Sequence, residues 1–198
     1  MQERQSNEDT LQVLNTVYAE AETKQETELR RLSIKRHAEL LKVDRLHLVQ
    51  VGKIISSAKI LAKRYRKLTG RPLGITGEVA EYEAVRLLDL ELADVRQPGY
   101  DATRRKGPKI ERLQIKGRCI LSPNPGQRLS KIDLKKEWDG ILLVMLDANF
   151  EPTEIYQAQR LKVTEALTKP GSKARNERGA LSVSKFKSIG VLVWSRDS

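Results

Sequence analysis

Asp101, Gln114 and Lys116 have the types and the spacing that phosphoester chemistry requires. Hydrolysing a phosphodiester calls for oxygen ligands around a hard divalent cation. Mg²⁺ keeps several of its waters and takes only one or two carboxylates besides the phosphate. Such an ion polarises the phosphate and lowers the pKa of a bound water. A lysine beside it orients that water or offsets the negative charge that develops. Side chains two residues apart on a strand point to the same face. Gln114 and Lys116 stand at that spacing in the run Ile110 to Ile120, where Ile110, Leu113, Ile115 and Cys119 lie among polar neighbours as in a strand. Asp101 precedes them on a short extended stretch, Tyr100 to Thr103, after the turn signal Gln97-Pro98-Gly99. Each residue also has a plain structural use. Asp101 after Gly99-Tyr100 suits an ordinary turn, and Gln114 and Lys116 suit the solvated face of an edge strand, where lysine discourages unwanted pairing.

The elements that would position these residues begin after a long helical region. Residues 8 to 68 read as helix, with no proline before Pro72 and Gly52 as the only glycine within the stretch. Leu11, Leu14, Tyr18 and Ala21 fall at three- and four-residue steps, and the seam weakens over the polar Glu22 to Glu28. It resumes with Leu29, Leu32, Ile34, Ala38, Leu41 and Leu48, then with Ile54, Ile55, Ala58, Leu61, Ala62, Tyr65 and Leu68. Gly70 and Pro72 supply the stop. Such a segment is either a helical hairpin covering the main domain or a coiled-coil arm that makes a homodimer or holds a partner. The expected division is an arm over 1–68 and a main domain over 69–198.

In the main domain, Gly77 to Leu92 reads as an amphipathic helix and Ala93 to Arg96 as a short strand. Arg104 to Pro108 reads as a basic turn, Ser122 to Ser130 as a loop and Asp133 to Trp138 as a short helix. Gly140 to Leu146 is continuously apolar, as in a strand buried on both faces. Pro152 to Gln157 gives another strand, Ala158 to Leu167 a helix, Lys169 to Gly179 a mobile loop, and Val191 to Trp194 a closing strand or packed tail. Helices around a central sheet make the domain α/β.

Gly77-Glu78, Gly99-Tyr100-Asp101 and Leu113-Gln114-Ile115-Lys116-Gly117, in that order and followed by the buried run Ile141 to Leu146, resemble the PD-(D/E)XK nuclease pattern. That family contains restriction endonucleases and DNA-repair nucleases. The resemblance covers about residues 70 to 160, a normal size for one domain, and leaves the N-terminal helices unexplained. It implies a restriction-endonuclease-like fold, an α-β-β-β-α-β core whose helices flank a central mixed sheet. It implies Mg²⁺, replaceable by Mn²⁺, held by Asp101, Gln114 and Glu78, with Lys116 as the catalytic lysine. Glu78 also has a structural use, favouring a helix N-terminus through the dipole. Tyr100 replaces the proline that often precedes the aspartate. Gln114 replaces an acid; its oxygen still ligates Mg²⁺ but carries no charge, so the site leans on Asp101 and Glu78. A Gln-X-Lys form occurs in the Mrr-type restriction group. The implied activity is metal-dependent DNA endonuclease, and the alternative is a nuclease fold that binds DNA or assembles with a partner without cutting.

Charge agrees with a polyanionic partner. Lys and Arg total 37 against 26 Asp and Glu, a net +11, and such a field attracts DNA, RNA or an acidic membrane face. Arg104, Arg105, Lys106 and Lys109 beside Asp101, Arg118 on the strand, and Lys173 and Arg175 further on are candidate phosphate contacts. They also fit ordinary solvated charge. Cys119 is the only cysteine, which excludes an internal disulfide and a Cys-rich zinc site, and a reducing, cytoplasmic compartment is expected. His37 and His47 have no ligand spacing to Cys119 and read as structural. Glu81 and Glu83 read as solvated, and Trp138 and Trp194 as core. Met1 to Thr10 is unlike a signal peptide, and no apolar run is long enough to span a bilayer, so no membrane association is expected.

Overall fold

Freedom from proline lets the first helix run long. In the computed structural model α1 spans Gln2–Thr69 and ends where Gly70 takes a φ of 68° and donates to the Arg66 carbonyl at 2.8 Å, a conformation that glycine adopts without strain. The structure describes residues 2–121, 126–171 and 173–197, with backbone alone for 2–22, 24–25, 34, 37–44 and 173–174. The expected seam of Leu11, Leu14, Tyr18 and Ala21, the later Ile34, Ala38 and Leu41, His37, Lys173, and the part of the expected loop at 122–125 lie outside those descriptions.

The chain divides into two compact units, Met1–Gln50 and Val51–Ser198. In the first, Leu29, Leu32, Leu46 and Val49 are exposed, and Arg30 pairs with Glu26 at 2.9 Å. The second takes in the last turns of α1, where Gly52, Ile55, Lys59 and Ala62 are buried. Gly52 lets Tyr82 approach closely there: an added Cβ would stand 2.3 Å from the Tyr82 hydroxyl, so one of the two would have to shift.

Helix α2 spans Thr76–Leu88 and stops earlier than the sequence suggests, at Asp89 with a φ of 51°. It buries Val79, Ala80, Ala84 and Val85. It also buries Glu83, contrary to the expectation of a solvated side chain. The carboxylate tolerates burial because Lys59 reaches it at 2.7 Å and Arg86 at 2.7 Å.

Six strands follow: β1 Glu91–Leu92, β2 Ala102–Lys106, β3 Lys109–Cys119, β4 Gly140–Leu146, β5 Pro152–Gln159 and β6 Val191–Ser195. They form one sheet in sequence order. Neighbours are antiparallel except β3 and β4, which are parallel. The domain is thus α/β with a mixed sheet. The expected strand at Ala93 to Arg96 is instead the two-residue β1 just before it. Most of the expected basic turn at Arg104 to Pro108 is strand β2, because the two residues Gly107 and Pro108, with Gly107 at φ 61°, suffice to reverse the chain.

Every residue of β4 is buried. Ile141, Leu143 and Met145 pack with Trp138, Val163, Leu167, Leu181 and Phe186. By alternation the other residues of β4 face the side of the sheet that carries α2. Gly117 on β3 marks that contact, since a Cβ there would lie 2.6 Å from the Ala80 methyl.

The expected short helix at Asp133 to Trp138 is not formed; the segment is a set of turns. Its carbonyls are occupied by side chains instead of by helical N–H groups. Arg160 donates to the carbonyls of Leu134, Lys136 and Trp138 and lies over the Trp138 ring at 4.5 Å. The Trp138 indole donates to the Asp133 carbonyl. Helix α3 spans Arg160–Thr168. The segment expected as a mobile loop contains α4, Lys173–Asn176, tied down where Asn176 donates to the carbonyls of Leu167 and Lys169. Helix α5, Val183–Ile189, was not foreseen; Ser182 caps it by accepting from the Lys185 N–H at 3.2 Å. No helix among the described residues is long and apolar enough to cross a membrane.

Candidate functional site

The site is built where β2 leaves β3. The two strands pair from Lys106↔Lys109 to Ala102↔Leu113, and the Asp101 N–H still donates to the Leu113 carbonyl at 2.9 Å. One step on, a side chain takes over from the ladder: the Asp101 carboxylate accepts from the Ile115 N–H at 2.6 Å. The carboxylate is therefore fixed beside the strand segment that carries Gln114 and Lys116. Gly99 shapes the approach, with a φ of 104° and no room for a Cβ, which would meet the Glu137 carbonyl at 2.5 Å.

Gln114 is buried, and its Nε2 donates to the Gly99 carbonyl at 3.2 Å. Its Oε1 is buried with no hydrogen-bond partner among the described residues. A buried acceptor left unmatched typically costs about 1–3 kcal/mol, so this oxygen is a natural place for a ligand. Lys116 is half-buried and makes no hydrogen bond or ion pair among the described residues. Burial pushes its ammonium below the ordinary lysine range against the pull of the Asp101 charge; Arg118 and Lys136 lower it further, and Glu81 draws it up.

Two carboxylates of α2 complete the neighbourhood. Glu78 is exposed and Glu81 half-buried. Burial raises the Glu81 carboxyl above its usual range, the Asp101 and Glu78 charges raise it further, and Lys116 opposes them. Glu81, expected to be solvated, therefore shares one electrostatic environment with Asp101, Glu78 and Lys116. The spacing Glu78-x-x-Glu81 carried that signal, because residues three apart on a helix are neighbours. Among the described residues no three His, Cys, Asp or Glu side chains form a metal-binding group. Asp101, Glu78 and Glu81 thus influence one another through their charges without making such a group.

The basic candidates separate. Arg104 is committed to Glu111 at 2.7 Å and to the Gln157 carbonyl oxygen at 2.7 Å, and Lys106 to Glu111 at 2.9 Å. Arg118 is half-buried and donates to the carbonyls of Arg128 and Gly117, and Arg175 donates to the Pro170 carbonyl. Arg105 and Lys109 are exposed. His47 is exposed, Trp138 is buried and Trp194 half-buried. No protein-family model and no curated protein matches the chain.

Proposed function

We propose that this chain is a metal-dependent DNA endonuclease of the PD-(D/E)XK type. The observation that carries the reading is the Asp101–Ile115 hydrogen bond, which holds an aspartate next to a Gln-X-Lys strand segment whose glutamine oxygen is buried and unmatched. The helix-first order and a central sheet with one parallel pair, β3 with β4, support the restriction-endonuclease-like assignment. Asp101 and Gln114 Oε1, with Glu78 or Glu81, would hold Mg²⁺ or Mn²⁺. The bound ion supplies polarisation of the phosphate and acidification of water. Lys116, with its ammonium destabilised by burial and no partner among the described residues, orients the attacking water or stabilises charge that develops on the phosphate. Exposed Arg105 and Lys109, within a chain of net +11, contribute non-specific attraction to the DNA backbone.

A second reading, a nuclease fold that binds DNA without cutting, has one observation in its favour. The Gln114 amide is neutral and already engaged through Nε2 with Gly99. Incubating supercoiled plasmid with the full chain separates the two. The enzyme reading expects nicked and linear products with Mg²⁺ or Mn²⁺ and none with EDTA, and Lys116→Ala should keep DNA binding while losing cleavage. A gel shift that weakens as salt rises, with no nicks under either metal, would leave the binding reading standing.

A further inference from the structure

The last turns of α1 carry two apolar stripes, and only one is covered by the domain. Gly52, Ile55, Lys59 and Ala62 face inward, toward Tyr82, Glu83 and their neighbours. The other stripe is Val51, Ile54, Ala58, Leu61, Tyr65 and Leu68, at steps of three and four residues, the a/d spacing of a two-stranded coiled coil. It is open to solvent: Ile54 is 68%, Leu61 59% and Leu68 76% exposed. An exposed row of large apolar side chains in a regular heptad pattern is fitted to another helix.

The charge around the stripe says which helix. Between Asp44 and Glu78 the chain has no acidic residue, while Lys53, Arg64 and Lys67 border the stripe and are exposed. A copy of the same stripe would bring like charges together. Residues 2–28 of α1 have the opposite balance, with Glu3, Glu8, Asp9, Glu20, Glu22, Glu26 and Glu28 against Arg4 and Lys24. That segment also carries a heptad pattern in sequence, Leu11, Leu14, Tyr18 and Ala21.

We infer that two copies of the chain associate antiparallel, the acidic first part of α1 of each copy lying on the 51–68 stripe of the other. One register matches four of the six stripe positions to the apolar positions of the first part of α1, and sets the other two, Ile54 and Val51, opposite Gln25 and Glu28. Placing Leu11 of one copy opposite Leu68 of the other also places Leu14 opposite Tyr65, Tyr18 opposite Leu61 and Ala21 opposite Ala58. Each layer joins an a position to a d position, as an antiparallel pair demands. A twofold axis makes every contact twice, so one complementary pair of segments yields a closed dimer and not a filament. This inference stands apart from the nuclease reading and does not depend on it.

Sedimentation of the full chain over a range of concentrations tests it. The expected result is a species of twice the chain mass, dissociating more readily at high salt. Leu61→Glu should weaken the dimer by about a hundredfold or more, since each dimer buries that side chain twice. Ile60→Glu, equally exposed but off the stripe, should leave it unchanged; far-ultraviolet circular dichroism shows whether each variant folds. Orientation is read in a Cys119→Ser background. Tyr18→Cys combined with Leu61→Cys should oxidise to a covalent dimer, and Leu61→Cys alone should not. A monomer at all concentrations, or efficient cross-linking of Leu61→Cys alone as in a parallel pair, overturns the inference.

Discussion

Strand β3 carries a polar cluster at each end, and the two are finished differently. At the end near the hairpin, Glu111 is buried but answered on every side: Arg104, Lys106, Gln157 and Gln159 all donate to it. Burial pushes the Glu111 carboxyl up, yet the hydrogen bonds from Arg104, Lys106 and Gln159 outweigh it and hold it below its ordinary value. At the other end, the Gln114 oxygen is buried and Lys116 half-buried, neither with a partner among the described residues, and Glu81 is held above its ordinary range beside like charges. A saturated cluster has nothing left to offer a ligand and serves the fold. An unsaturated one is kept at a cost to stability, and such costs concentrate where chemistry is done.

That contrast makes opposite forecasts for the two ends. Lys116→Met keeps the aliphatic stem and removes the strained charge. It should lower cleavage by about a hundred- to a thousandfold, the usual scale for losing one stabiliser of developing charge, with urea stability unchanged or slightly raised. Glu111→Ala strands Arg104 with no carboxylate. It should cost about 3 kcal/mol in urea unfolding while plasmid nicking in the cold persists. Equal stability losses in both variants would erase the distinction. Gln114→Glu should have a smaller effect: added charge at a ligand position should lower the Mg²⁺ concentration needed for half-maximal nicking, whereas a purely structural Gln114 would show no change in that titration.

The smallest effect is one of pH. The folded Glu111 carboxyl titrates below its ordinary 4.5. Its contribution is therefore complete above that pH and is lost as pH falls through the lower folded value. Comparing thermal unfolding of the wild type and Glu111→Gln between about pH 7 and about pH 3 should show a gap that is constant at neutral pH and narrows only under acid. A gap that widened on acidification would mean that the hydrogen bonds to Glu111 do not outweigh its burial.

Much of this was legible in the residues themselves. The period-2 pattern of β3, the unbroken apolar run of β4 and the proline-free α1 each depend on neighbours in sequence, so local pattern sufficed for them. Asp101, Gln114 and Lys116 stand out by type and spacing, and the structure sets Asp101 against the strand that carries the other two. Glu81, one helical turn from Glu78, reads as solvated in sequence but is half-buried in the fold. Helix α5 is too short for its Val183, Phe186 and Ile189 steps to stand out from noise.

What sequence determined alone was therefore the set of elements with a strong period, and a short roster of side chains of the types that the proposed chemistry would use. Tertiary structure decided how those side chains are spent. Arg104 and Arg105 are adjacent and chemically alike, yet one is committed to Glu111 and the other left to solvent, because strand alternation sends them to opposite faces. The segment Asp133 to Trp138 reads as helix in sequence, yet a distant side chain, Arg160, takes three of its carbonyls. The unmatched oxygen of Gln114 depends on Gly99 taking the amide nitrogen from fifteen residues away. Hydrogen bonds and burial of this kind join residues remote in sequence, and no local window contains both partners.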